Sequence, residues 1–328
     1  MRIAIVKSSS MGDVVHALPV VSDLVAAHPG IEIDWVVEEA FADLPRLHPA
    51  VAEVVPVAVR RWRRTPFSPA VRAEVAAVRE RLRGRGYGLV LDLQGLVKSV
   101  WLARLAGAPV AGFDRASVRE PLASLGYRQR HRVPLRLHAI ERLRQLAGQA
   151  LGYPVAGLPR FGLQAPVAPI PGLAAGPFAV FLHATSRPAK QWPDPHWQAL
   201  GQALSAQGLR VVLPWGSEPE RARAMGLAAA IGEGAWVAPR LSLAQCAALL
   251  AQARLAVGVD TGLTHLSAAL DTPTAALFAA TPAWRFGPYW TERAVSLGQD
   301  GAWPSASAVS AALVGLGVIA HASTGHSR

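Results

Sequence analysis

The segment Val259-Asp260-Thr261-Gly262-Leu263-Thr264-His265 gathers a carboxylate, two hydroxyls and an imidazole where an apolar run gives way to a helix-like one. Free amides of Thr261, Gly262 and Leu263 at such a helix start form an anion site, and Gly262 lets a phosphate approach closely. Asp260 would repel a phosphate that it faced, so it reads better as a hydrogen-bond partner of sugar hydroxyls or of the helix cap. His265, one turn in, reads either as a phosphate contact or as a buried structural histidine. A second loop, His183-Ala184-Thr185-Ser186-Arg187-Pro188-Ala189-Lys190-Gln191-Trp192-Pro193, offers hydroxyls and a lysine. These can hold a diphosphate and offset the charge that grows on it as it leaves. An ordinary polar loop is the competing reading.

In the first half, Ser8-Ser9-Ser10-Met11-Gly12-Asp13 leads from an apolar run into a periodic helix. Asp13 stands where a substrate would meet a sheet edge, and equally where a first-turn acid stabilises a helix dipole. Arg60-Arg61-Trp62-Arg63-Arg64 is the densest charge run in the chain. Four guanidinium groups so close suit bidentate capture of carboxylate or phosphate, and Trp62 could lie at an interface. A solvated face is the usual account of a charge run, but such faces mix signs and this one does not. Leu91-Asp92-Leu93-Gln94-Gly95-Leu96-Val97-Lys98-Ser99 repeats the strand, glycine, helix pattern. Arg119, His138, Glu141 and Arg142 could add to the same wall, whereas Arg79, Arg81, Arg83 and Arg85 read as an ordinary solvated helix face.

The elements that must position these residues follow from hydrophobic patterning. Short β-branched runs at 2–7, 31–37, 54–59 and 89–93 are separated by helix-like stretches, and the series resumes at 178–182, 209–213, 255–259 and 274–278. That alternation predicts an α/β fold with parallel sheets and crossover helices. Between the two series, residues 152–177 hold six prolines among several glycines, which predicts a linker and two domains. Ligands of such sheets sit at the carboxyl ends of the strands. No G-x-x-x-x-G-K-[ST], no G-x-G-x-x-G after the first strand, no H-E-x-x-H and no paired cysteines occur, which demotes a P-loop NTPase, a dehydrogenase and a zinc enzyme.

A chain of 328 residues exceeds one hydrophobic core. The lone Cys246 excludes an internal disulfide, and no secretory signal opens the chain, so a cytoplasmic location is expected. Residues 302–322 lack charge, but their serines and glycines predict a packed helix over a membrane span. The net charge of +11 is uneven: residues 1–165 hold 23 Lys and Arg against 14 Asp and Glu. A basic half implies an anionic partner, whether nucleic acid, membrane surface or acidic substrate.

Taken together, IVKSSSMGDVVHALP, DWVVEEAF, PVAVRRWRR, QGLVKS, REPLAS, FLHATSRPAKQWP, LPWG and VDTGLTHLSAALD resemble the bacterial ADP-heptose glycosyltransferases, glycosyltransferase family 9. Many two-domain transferases share the DTG-x-[TS]-H loop, whereas RRWRR and REPLAS resemble the branch that adds the first heptose of the lipopolysaccharide inner core. The resemblance implies a GT-B fold, two Rossmann-like doubly wound domains facing an interdomain cleft. An acceptor-binding domain would span 1–155, a linker 156–176, a donor-binding domain 177–305, and a C-terminal helix and tail 306–328.

It implies further an inverting transfer from ADP-L-glycero-β-D-manno-heptose to Kdo2-lipid A, whose carboxylates and phosphates suit the basic half. Asp13 matches the family's general base. Donor contacts carry over to Thr185, Ser186, Lys190, Glu220, Leu241, Asp260, Thr261, Gly262 and His265, with Ser186 where threonine is common and Leu241 where methionine can stand. Glu218 competes with Glu220 for the ribose contact, and Glu220 is chosen. Acceptor contacts fall on Lys7, Arg60, Arg61, Arg63, Arg64, Gln94, Lys98 and Arg119. No metal, other cofactor or nucleic acid is expected, and the enzyme would sit peripherally on the anionic inner face of the inner membrane. A family member with another acceptor is the alternative, as is a non-catalytic nucleotide-sugar or nucleic-acid binding module.

Overall fold

The computed structural model describes residues 1–185, 187–299 and 301–320. The chain divides into two compact units, Met1–Gln164 and Ala165–Arg328. The first is built on β1 (Arg2–Val6), β2 (Glu32–Glu38), β3 (Val51–Val57), β4 (Leu89–Asp92), β5 (Val110–Phe113) and β6 (Gln129–His131). These form one parallel sheet in the order β3-β2-β1-β4-β5-β6. β1 and β4 are almost wholly buried, as expected of parallel strands covered on both faces.

The second unit repeats the plan with β7 (Phe178–Leu182), β8 (Arg210–Leu213), β9 (Ala235–Val237), β10 (Leu255–Val259), β11 (Thr274–Leu277) and β12 (Ala294–Leu297). Its parallel sheet runs β12-β11-β10-β7-β8-β9. The expected strands are all present within a few residues of their predicted bounds. The additions, β5, β6, β9 and β12, have at most four residues each.

In each sheet the strand order reverses beside the first strand, between β1 and β4 in one and between β7 and β10 in the other. At such a switch point the crossovers leave to opposite faces, and a crevice opens beyond the carboxyl ends of the two central strands. Four of the segments singled out from the sequence follow these four strands, whereas the arginine run follows β3.

The uncharged stretch near the chain end holds the helix Ala306–Gly315, whose Val309 and Leu313 join the core of the second unit beside Trp192 and Trp197. Among the described residues no helix is long and apolar enough to cross a membrane.

Candidate active site

At the switch point of the first unit, β1 runs into Lys7–Ser10 and then the helix Met11–Ala17. Asp13 Oδ2 accepts from the Ser10 amide at 3.0 Å and the Ser10 hydroxyl at 2.8 Å, so the first-turn reading of this acid is realised at one oxygen. Its other oxygen lies 3.8 Å from Lys7 Nζ, and the side chain keeps 38% exposure. Burial pushes the Asp13 pKa up, but the Lys7 charge, the Ser10 hydrogen bonds and the Arg119 charge outweigh it and hold the carboxyl below its ordinary value. The result is an ionised, reachable carboxylate at a strand end.

Lys7 is almost inaccessible, with Nζ donating to Leu93 O at 3.0 Å, and burial lowers its pKa against the opposing pull of Asp13 and Asp92. It therefore acts on Asp13, where the sequence had suggested an acceptor contact. Gln94 is likewise turned inward. Its Oε1 accepts from the Ser8 and Ser9 amides at 3.0 and 3.2 Å, and its Nε2 donates to Ser9 O at 2.5 Å. Both ends of the amide are spent on the turn that delivers Asp13, which makes Gln94 a positioning residue. Lys98 donates to the Ser9 hydroxyl at 3.2 Å, and Arg119 is exposed nearby.

Beneath this turn lies a carboxylate to which sequence reasoning attached no role. Asp92 is fully buried at the end of β4 and accepts from the Gln94 and Gly95 amides, Ser99 Oγ and Tyr127 Oη. Burial raises its pKa, with those hydrogen bonds pulling the other way. Its signal was available as an acid ending an apolar strand. Of the weaker candidates, Arg142 donates to Ser117 O and lies over the Phe113 ring, while His138 caps the helix Ala139–Leu151.

The arginine run is divided by the fold. Arg61 forms a two-pronged pair with Glu74 at 2.8 and 3.0 Å and approaches Glu39 at 3.5 Å. Trp62 is buried and donates to the same Glu74 at 2.7 Å. The run thus does mix signs, through carboxylates distant in sequence. Arg60 lies over the Phe41 ring, and Arg63 and Arg64 are exposed and, among the described residues, pair with no carboxylate. Arg81 pairs with Glu53, and Arg85 clamps the buried Asp34 at 2.7 and 3.0 Å, so that helix is more than a solvated face.

In the second unit, Asp260 follows β10 and receives three groups. Lys190 Nζ lies 2.5 Å and Thr281 Oγ1 2.6 Å from Oδ2, and His265 Nε2 lies 3.1 Å from Oδ1. Burial pushes the Asp260 pKa up, yet His265, Lys190 and Thr281 together hold it far below the ordinary range. Asp260 thus anchors the lysine and does not cap the helix. Thr261 starts the helix Gly262–Ala269 in extended conformation, leaving the first amides directed beyond the strand end. Gly258 permits this packing, since a Cβ there would fall 2.1 Å from Thr264 Oγ1 and 2.9 Å from Leu182 Cβ.

The other expected donor residues lie at carboxyl ends of the same sheet. Thr185 follows β7, and Ser186 lies outside the described residues. After β8, Glu220 Oε2 accepts from the Gly216 amide at 2.7 Å, whereas Glu218 faces solvent beside Arg221. Half-buried Leu241 lies in the loop after β9. Two residues of this second unit were missed. Thr281 follows β11 and would have been found by the same strand-end rule. Arg223 donates to His183 O at 2.7 Å and Trp192 O at 3.0 Å, clamping both ends of the loop that carries Lys190.

Residues 75–312 match the sequence model of glycosyltransferase family 9 (heptosyltransferase). The chain belongs to glycosyltransferase family 9, the heptosyltransferases. It is 49% identical to lipopolysaccharide heptosyltransferase 1 of Pseudomonas aeruginosa, over 92% of this chain and 84% of that one. The corresponding protein of Escherichia coli K12 is 46% identical, over 88% and 91%. Among solved structures, E. coli heptosyltransferase WaaC with ADP superimposes with a TM-score of 0.88 at 42% identity, covering 96% of this chain and 100% of that one. WaaC with ADP-2-deoxy-2-fluoro heptose gives 0.85, covering 96% and 99%. This family 9 chain is accordingly a GT-B glycosyltransferase, and its activity is heptose transfer in lipopolysaccharide core synthesis. Among the described residues no cluster of three or more His, Cys, Asp or Glu could hold a metal ion.

Proposed function

We propose that the enzyme transfers L-glycero-D-manno-heptose from ADP-heptose to a Kdo hydroxyl of Kdo2-lipid A, with inversion at the anomeric carbon. The observation that carries this reading is the Lys190, Asp260 and His265 cluster at the β7 and β10 ends, in a chain 42% identical to one solved with an ADP-heptose analogue. Lys190 and the first amides of the helix Gly262–Ala269 offer positive charge to a departing diphosphate. No metal or other cofactor is then required for that step.

In this reading the first unit prepares the nucleophile. The acceptor hydroxyl oxygen bonds to the anomeric carbon, its proton passes to Asp13, and the bond from that carbon to the β-phosphate oxygen breaks with its electron pair leaving on ADP. Because the Asp13 pKa is low, it accepts the proton late, as the attacking oxygen acquires positive charge. Lys98, Arg119, Arg63 and Arg64 supply the cationic surround that an acceptor bearing carboxylates and phosphates needs. A lipid-borne acceptor places the enzyme peripherally on the inner face of the inner membrane.

The test is a transfer assay with ADP-heptose and Kdo2-lipid A, read by product mass. One added heptose on Kdo is expected. Transfer only to an already heptosylated core would overturn the acceptor, and no transfer from ADP-heptose would overturn the donor.

A further inference from the structure

Beside the arginine run, the first unit carries exposed apolar side chains on two elements that are locked together. On the helix Val97–Leu105, Val97 and Trp101 share a face at the i, i+4 spacing, with 49% and 43% exposure. The 3-10 turn Pro121–Gly126 presents Leu122 and Leu125 with 71% and 67% exposure. Side chains three apart eclipse in such a turn, so both leucines point the same way. Ala123 and Ser124 are its buried side.

The turn is fixed to the helix at two points. Glu120 Oε2 accepts from the Val97 amide at 2.7 Å, and Gly126 packs so closely that a Cβ would lie 2.1 Å from Val100 Cγ1. Trp101 also meets the buried Trp62 edge-on, ring centroids 6.3 Å apart. Trp62 in turn stands between the arginines of the run, and the loop beyond them exposes Phe67 at 87%. The apolar face is therefore continuous with Arg63 and Arg64, and Arg104 adds a cation one turn beyond Trp101.

We infer that this face is a membrane seat, with Trp101, Leu122 and Leu125 entering the interface of an anionic bilayer and Arg63, Arg64 and Arg104 meeting its headgroups. Isolated apolar side chains on a surface need no explanation, but a cluster flanked by arginines without carboxylate partners among the described residues does, the nearby Glu120 carboxylate being spent on the Val97 amide. Aromatic and aliphatic groups beside arginines match the layered chemistry of an anionic lipid interface. A second copy of the chain would bring the same cations against themselves, which argues against a symmetric dimer there. The inference rests on reading the acceptor as a lipid-borne sugar, and it adds the surface by which the enzyme reaches that sugar's plane.

The test uses the full chain with vesicles of phosphatidylethanolamine and phosphatidylglycerol, and with phosphatidylcholine vesicles as the neutral arm. Sedimentation should capture the wild type on the anionic vesicles only. The triple variant Trp101→Ser, Leu122→Ser, Leu125→Ser should bind them about tenfold more weakly or worse. Its ADP affinity and its transfer to a deacylated, water-soluble Kdo acceptor should match the wild type. If the triple variant melts early, the double variant Leu122→Ser, Leu125→Ser on the exposed turn decides in its place.

Wild type that ignores anionic vesicles, or a variant that binds them equally well, overturns the seat. So does a wild-type dimer in solution that the substitutions dissociate, since the face would then be an interface between copies. Failure of transfer to the soluble acceptor by the wild type would instead count against the proposed reaction, leaving vesicle binding to judge the surface.

Discussion

Lys190 Nζ stands 2.5 Å from Asp260 Oδ2, tying the loop after β7 to the end of the neighbouring strand β10. The ammonium is held at the switch point by a carboxylate that is itself held by His265 and Thr281. In the proposed reaction a diphosphate arriving at the amides of Gly262–Ala269 would meet that cation already in place, so little reorganisation would be needed as the leaving group gains charge. Lys190→Ala should lower kcat by about two to three orders of magnitude, the usual cost of one preorganised donor at a site of developing charge. Transfer should survive EDTA. Steady-state kinetics with and without the chelator check both, and a strict metal requirement would contradict the role given to Lys190.

Asp13 is expected to behave as a weak base in a cationic pocket. Asp13→Asn should lose about two to four orders of magnitude in turnover while ADP affinity, measured by calorimetry, is kept. Since the folded-state pKa is depressed, the carboxylate stays ionised until the pH falls below its ordinary value of 3.8. The kcat profile should accordingly show no acid limb from Asp13 at or above about pH 5. Turnover of Asp13→Asn close to the wild type would leave the residue only its hydrogen bonds to Ser10.

How much of this was legible in the sequence depended on locality. β7 and β10 were readable because FAVFL and LAVGV are apolar runs bounded by polar loops. β6, with the sequence QRH, and β9, with AWV, carry no such run, since short strands at a sheet edge bury little and need little apolar surface. The strand-end rule found Asp13, Lys190 and Asp260, and it would have found Asp92 and Thr281. What no pattern along the chain reveals is a partner from elsewhere in it. The Arg61 and Glu74 pair, the Asp92 and Tyr127 hydrogen bond, and the inward turn of Gln94 all depend on the folded register of β1, β4 and their neighbours.

Arg223 lies 33 residues beyond Lys190 in the numbering yet grips both ends of its loop, and its guanidinium also meets Asp194 at 2.6 Å. Nη1 and Nη2 of one rigid guanidinium each reach one carbonyl of the loop, a fixed two-point geometry that a compact lysine ammonium does not reproduce. Arg223→Ala should weaken ADP binding and lower kcat, together by about ten- to a hundredfold, by releasing two charge-assisted hydrogen bonds. Arg223→Lys should restore little of either. Full activity in the lysine variant would mean that charge alone, and not the fork, holds the loop.

His183, fully buried at the end of β7, links the same loop to pH. Burial lowers its pKa from 6.5 to about 4, with the Arg223 charge adding to the shift. The unfolded chain therefore binds a proton below about pH 6.5 that the folded unit refuses until about pH 4. Stability is fully present above that window and falls as the pH drops through it, by up to about 3 kcal/mol from this residue. Calorimetric unfolding between pH 7 and pH 4 should show the loss, and His183→Gln should flatten that part of the curve while lowering stability at neutral pH. A variant whose acid slope equals that of the wild type would assign the proton uptake to another histidine, and buried His48, also lowered to about 4, is the first to replace in turn.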